Sequence, residues 1–186
     1  MVRRMFARAA FAVLVLGAFI ARADAQAPTL VFIVRHAEKA AEPANNPPLT
    51  AIGEARANAL ADVLATAGIS AIISTPYLRT LNTAKPLADR LGVRIDTVPT
   101  TGGVPVHAQA TADAVRKHAG KAVLVVGHSN TITAIAAALG APKLADLCDG
   151  DYDQLFMIEL PASGPPRFVK SRFGAPAVDA GCASMR

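Results

Sequence analysis

The sequence predicts an α/β fold, a three-layer α/β/α arrangement whose mostly parallel sheet carries helices on both faces, with antiparallel edge strands near the C-terminus. Three observations predict it. Short β-branched runs alternate with longer helical segments from Leu30 to Leu139, a rhythm that demands crossovers and therefore parallel strands. The runs LVFIV (Leu30–Val34) and KAVLVV (Lys121–Val126) are almost wholly apolar, as strands buried on both faces should be. Beyond Leu139 the rhythm changes: Gln154–Leu160 and Arg167–Arg172 are separated only by Pro161–Pro166, which predicts an antiparallel pair.

The first strand, Leu30–Val34, leads into a polar, Pro-rich loop at Glu42–Pro48. Thr50 offers an N-cap for a helix to about Ala67, with Ile52, Ala59, Leu60, Val63, Leu64 and Ala67 expected on its buried face and Gly68 ending it. A second strand at Ala71–Ser74 precedes a helix at Leu78–Leu91, which Gly92 stops. Pro86 lies inside that helix and is expected to kink it. Val93–Val98 reads as the third strand, Pro99–Pro105 as a Gly- and Pro-rich loop and Ala110–Ala119 as the third helix. Lys121–Val126 and Asn130–Leu139 supply the fourth strand and helix. There is no internal repeat and no linker long enough to divide two domains.

The N-terminus carries Arg3, Arg4 and Arg8, then an apolar run from Ala9 to Ile20, then ARADAQA. These are the three parts of a secretory signal peptide, with Ala23-Asp24-Ala25 as the cleavage site. The 12 apolar residues fall short of the roughly 20 that span a bilayer. Residues 1–25 are therefore read as a signal peptide and 26–186 as one domain, exported to the periplasm or secreted, with no stable membrane anchor after cleavage. The chain's formal charge is +5, and the signal holds four arginines against Asp24, a net of +3, leaving +2. The basic character is largely a targeting feature and gives no support for nucleic-acid binding. Cys148 and Cys182 both follow the cleavage site, and in an oxidising compartment they are expected to pair.

In a parallel sheet of this kind, ligands bind beyond the carboxyl ends of the strands. The first strand runs into Arg35-His36-Ala37-Glu38-Lys39, the second leads through Ser74-Thr75-Pro76-Tyr77 to Arg79, and the fourth ends in Gly127-His128-Ser129-Asn130 at a helix start. Two arginines, two histidines and a helix N-terminus at one sheet edge make an oxyanion site, because guanidinium forks and backbone N–H groups match phosphate geometry.

The segments VRHAEK, PPLTAIGEARANAL, STPYLRTLNTAKPLA and VVGHSNT span Val34 to Thr131 in order. Together they resemble the histidine phosphatase superfamily, which includes the phosphoglycerate mutases and the phosphohistidine phosphatases. The resemblance implies a small phosphatase with His36 as nucleophile and Arg35, Arg79 and His128 holding the phosphate. Ser129 or Asn130 would add a hydrogen bond from the fourth helix. It implies a phosphorylated small molecule or phosphoprotein as substrate, with no metal or other cofactor, the arginines taking the charge that Mg²⁺ would otherwise neutralise. A chain that had kept the pocket but lost turnover would instead be a phosphate- or phosphosugar-binding protein.

Two features depart from the family pattern. The usual R-H-G reads R-H-A here, Ala37 replacing the glycine. Many relatives also place a carboxylate on the loop after the third strand to protonate the leaving oxygen, and Thr97 to His107 contains none. Glu38 leads the substitutes, ahead of His107 or no acid at all. Without a placed acid, phenolic or nitrogen-linked phosphates are expected to be cleaved much faster than sugar or glycerol phosphates. The acidic cluster Asp149, Asp151 and Asp153 reads as polar surface rather than a cation site.

Overall fold

A computed structural model describes residues 27–176. The strands are β1 (Thr29–Arg35), β2 (Ile69–Ser74), β3 (Ile95–Thr97), β4 (Ala122–Gly127), β5 (Gln154–Leu160) and β6 (Arg167–Arg172). The helices are α1 (Ala51–Leu64), α2 (Leu78–Leu91), α3 (Gly103–Arg116) and α4 (Thr131–Ala138). The sheet order is β3-β2-β4-β1-β5-β6. The pairs β3–β2, β2–β4 and β4–β1 are parallel, and β1–β5 and β5–β6 are antiparallel.

Alternate side chains of the central strands feed two cores. Ile33, Ile73 and Val125 pack with Ala108, Ala112, Val115, Ile132 and Ile135 of α3 and α4. Val34, Ile72, Leu124 and Val126 pack with Leu60, Leu64, Ala84 and Leu87 of α1 and α2. The neighbouring strands β1 and β4 thus send their following helices, α1 and α4, to opposite faces. That divergence opens a crevice at their carboxyl ends, where α/β sheets bind ligands.

Local chemistry explains most boundaries. Thr50 caps α1 by accepting a hydrogen bond from the Gly53 N–H at 3.1 Å. Gly92 ends α2 at φ 65°, in the left-handed region open to glycine. Gly53 has a different duty, since a Cβ there would collide with the Glu38 carbonyl oxygen. That oxygen also accepts the Thr50 N–H at 2.9 Å, so α1 starts directly against the loop that follows β1.

Three expectations need correction. The buried stripe of α1 is Gly53, Arg56, Ala57, Leu60, Ala61 and Leu64, whereas Ile52 and Val63 are 67% and 52% exposed. Hydrophobicity alone missed this stripe because a charged residue, Arg56, is part of it. The third helix begins at Gly103, seven residues before the expected start. Gly102 and Gly103 turn the chain with positive φ, and Pro105 falls in the first turn, where a missing N–H costs no helical bond. The third strand is only Ile95–Thr97, an exposed edge. The expected signal peptide and Cys182 lie outside the described residues. Cys148 is disulfide-bonded.

Candidate active site

Strand β1 delivers Arg35 and His36 to the crevice, and β4 delivers His128. The strands are in register, with Arg35 opposite Gly127, and the His36 N–H donates to the Gly127 carbonyl at 2.9 Å. A cavity of about 410 Å³ opens there, lined among others by Arg35, His36, Tyr77, Arg79, His128, Ser129, Asn130 and Asp149. Every residue expected to bind phosphate therefore reaches one cavity. The tertiary structure adds to that set Lys39, Tyr77, His107, Thr131 and Asp149.

His36 is 4% exposed. Its Nδ1 lies 2.7 Å from the Ala37 carbonyl oxygen. A carbonyl can only accept, so Nδ1 carries the proton and Nε2 keeps a lone pair. Ala37 fits without strain: no non-glycine residue among those described has positive φ, and the Ala37 N–H donates to Thr83 Oγ1 at 2.9 Å. Thr83 in turn donates to the Arg79 carbonyl at 2.7 Å, coupling the loop after His36 to the first turns of α2.

Arg35 is held by the segment before β5. Its Nη1 donates to the carbonyls of Cys148 at 2.8 Å and Asp149 at 3.0 Å, and its guanidinium stacks 4.1 Å from the Tyr152 ring centre. Its Nε is buried without a partner, so that edge remains for an oxyanion. The Arg79 guanidinium lies 4.5 Å from the Tyr77 ring centre and makes no hydrogen bond or ion pair among the described residues. His128 Nε2 sits 3.0 Å from Thr75 Oγ1, which lies 2.8 Å from Thr80 Oγ1. The His128 N–H donates to Thr131 Oγ1 at 2.9 Å. Gly127 permits this tight entry into α4, because a Cβ there would come within 2.9 Å of Thr131 and Ile132 side-chain atoms.

Both site histidines titrate near 3. Burial is the main cause for each. Around His36 the charges of Arg35, His128 and Arg79 act in the same direction, against the pull of the Ala37 carbonyl. Around His128 the contributors after burial are Arg79, His107 and Arg35. The rings are therefore neutral at working pH, as a nucleophilic imidazole must be. The unfolded chain binds a proton on each ring below about pH 6.5, and the folded chain does so only near pH 3. Stability is thus full above about pH 6.5 and falls as pH drops towards 3, by at most about 1.4 kcal/mol per pH unit for each ring. Denaturant titrations at pH 7, 5 and 4 should show this decline, reduced in His36→Gln. An identical slope in that variant would show that His36 is not held neutral.

Glu38 is corrected. Its carboxylate accepts from Arg56 Nε at 2.9 Å and Nη2 at 2.7 Å, and Glu38 does not line the cavity. Arg56 is buried and takes the nearest carboxylate to balance its charge. His107 lies not in a loop but in α3, 2% exposed. Its Nδ1 donates to the Pro99 carbonyl at 2.9 Å, and its Nε2 is buried without a partner. The acidic cluster is dispersed: Asp151 accepts the Cys148 N–H at 3.0 Å, and Asp153 is buried against Arg172 at 2.8 Å. Among the described residues, no group of three or more His, Cys, Asp and Glu is arranged to hold a metal ion.

Known proteins share this fold. Residues 31–100 match the model of the histidine phosphatase superfamily, branch 1. The chain is 37% identical over 75 residues to the Yersinia enterocolitica protein "Probable phosphoglycerate mutase GpmB", an alignment covering 37% of this chain and about a third (35%) of that relative. The protein histidine phosphatase SixA, solved with tungstate, superposes with a TM-score of 0.61 at 22% identity, covering 77% of this chain and 96% of that one. Phosphoserine phosphatase from Entamoeba histolytica, solved with 3-phosphoglyceric acid, superposes at 0.57 with 16% identity, covering 80% and 98%. At these identities the superpositions speak for the fold, and the sequence match carries the segments around His36 and Arg79. Over residues 31–100 the chain is thus similar to the histidine phosphatase superfamily, and over most of its length it shares the fold of these solved structures.

Proposed function

We propose that this protein is a phosphatase that hydrolyses phosphate monoesters or phosphohistidine through a phosphohistidine intermediate on His36. The observation that carries this reading is a buried, neutral His36 whose Nδ1 is anchored on the Ala37 carbonyl, in a cavity shared with Arg35, Arg79 and His128. Nε2 attacks phosphorus, and the bond to the leaving group breaks. Water then attacks the phosphoryl group and restores the neutral imidazole. Arg35, Arg79 and His128 bind the equatorial oxygens, with Ser129 and Asn130 at the start of α4 completing the cradle. Catalysis is then positioning plus charge stabilisation, the two guanidiniums supplying the positive charge without a metal or organic cofactor.

The substrate is a phosphorylated small molecule or phosphoprotein. Residues 1–25 are proposed as the export signal, placing the enzyme in the periplasm or outside the cell. Turnover of an activated aryl phosphate by the mature chain tests the reading. Multiple turnovers are expected, and tight binding of inorganic phosphate without turnover would instead make this a binding protein.

A further inference from the structure

We propose that Asp149 is the proton donor and acceptor of the reaction, a role that rests on the phosphatase reading. Both half-reactions need such a group: the leaving oxygen must gain a proton, and the attacking water must lose one. The usual position is empty of carboxylates, Glu38 is committed to Arg56, and His107, which also lines the cavity, has its Nδ1 anchored on Pro99 and its Nε2 buried. Among the described residues, Asp149 is the one carboxylate lining the cavity.

Its surroundings separate it from its neighbours. Asp146 accepts from Thr133 at 3.0 Å, Asp151 caps the Cys148 N–H, and Asp153 is buried on Arg172. The Asp149 carboxylate has no hydrogen-bond or ion-pair partner among the described residues. Its backbone, however, is fixed. The Asp149 carbonyl accepts from Arg35 Nη1 at 3.0 Å, flanked by that of Cys148 at 2.8 Å, while Tyr152 stacks on the same guanidinium. The segment is thus built around the cation next to the nucleophile, leaving one open carboxylate at the cavity wall.

The steps balance. In the proposed sequence Asp149 carries the proton at the start. As His36 Nε2 bonds to phosphorus and the P–O bond breaks, the proton passes from Asp149 to the leaving oxygen, releasing the alcohol. The Asp149 carboxylate then takes a proton from water as that oxygen bonds to phosphorus and the P–N bond breaks. Inorganic phosphate, neutral His36 and protonated Asp149 result.

The test measures kcat/KM for the mature chain across phosphate esters of graded leaving-group pKa, in wild type, Asp149→Asn and His107→Gln. A shallow dependence is expected in the wild type, replacing the steep one that a missing acid implied. Asp149→Asn should lose about 10²- to 10⁴-fold on alkyl esters and little on aryl esters, so the dependence steepens. It should also accumulate phosphoenzyme from an aryl phosphate, because the second step lacks its base. With an exposed and unpartnered side chain, the variant should melt like the wild type. A uniform loss across the series, a steep wild-type slope that neither variant changes, or steepening only in His107→Gln would overturn the assignment. Absence of any phosphoenzyme on His36 in the wild type would instead sink the phosphatase reading itself.

Discussion

His36→Ala should abolish hydrolysis, with kcat falling on the order of 10⁶-fold, while the fold survives. The loss is large because the nucleophile cannot be replaced from within the cavity. His128 Nε2 is occupied by Thr75, and His107 is anchored to Pro99. The fold should survive because His36 contributes one side-chain hydrogen bond, to its neighbour's carbonyl, while the β1–β4 ladder is made by the backbone. Rapid-quench labelling with a radioactive phosphoester should trap an acid-labile, base-stable phosphoenzyme in the wild type and none in the variant. Circular dichroism and a melting curve check the fold. Turnover that persisted in the alanine variant would place the nucleophile elsewhere.

Arg79→Ala should lower kcat/KM by about 10³-fold or more, the scale of an arginine stabilising a phosphoryl transition state. Arg79 stacks on Tyr77 but makes no hydrogen bond within the described protein, so its donors are free for substrate. Removing it should cost little stability. Arg79→Lys should recover only a small part of the rate, because an ammonium offers a point charge where a planar fork is needed. Steady-state kinetics with an aryl phosphate measures both variants. Near-normal kinetics in the lysine variant would put Arg79 outside the phosphate site.

The sequence by itself determined the sheet, its helices and the cluster at its carboxyl edge, because these depend on local signals. Apolar runs made the buried strands, Thr50 and Gly92 bounded helices through local contacts, and the helical segments between strands required parallel crossovers. The R-H and G-H-S-N segments could be placed at strand ends for the same reason. What only the tertiary structure decided was the partner of each charge. Glu38, two positions beyond His36, belongs to Arg56 across the first loop, and with Arg56 buried in the α1 stripe Ile52 and Val63 face solvent. His107 looked like an exposed loop residue until Gly102, Gly103 and a first-turn proline drew it into α3. Asp149 stands more than a hundred residues from Arg35 in sequence, yet shares a hydrogen bond with it. Charge pairing is settled by proximity after folding, since a buried ion takes whichever compensating group the packed elements bring within reach, and no periodicity along the chain encodes that distance.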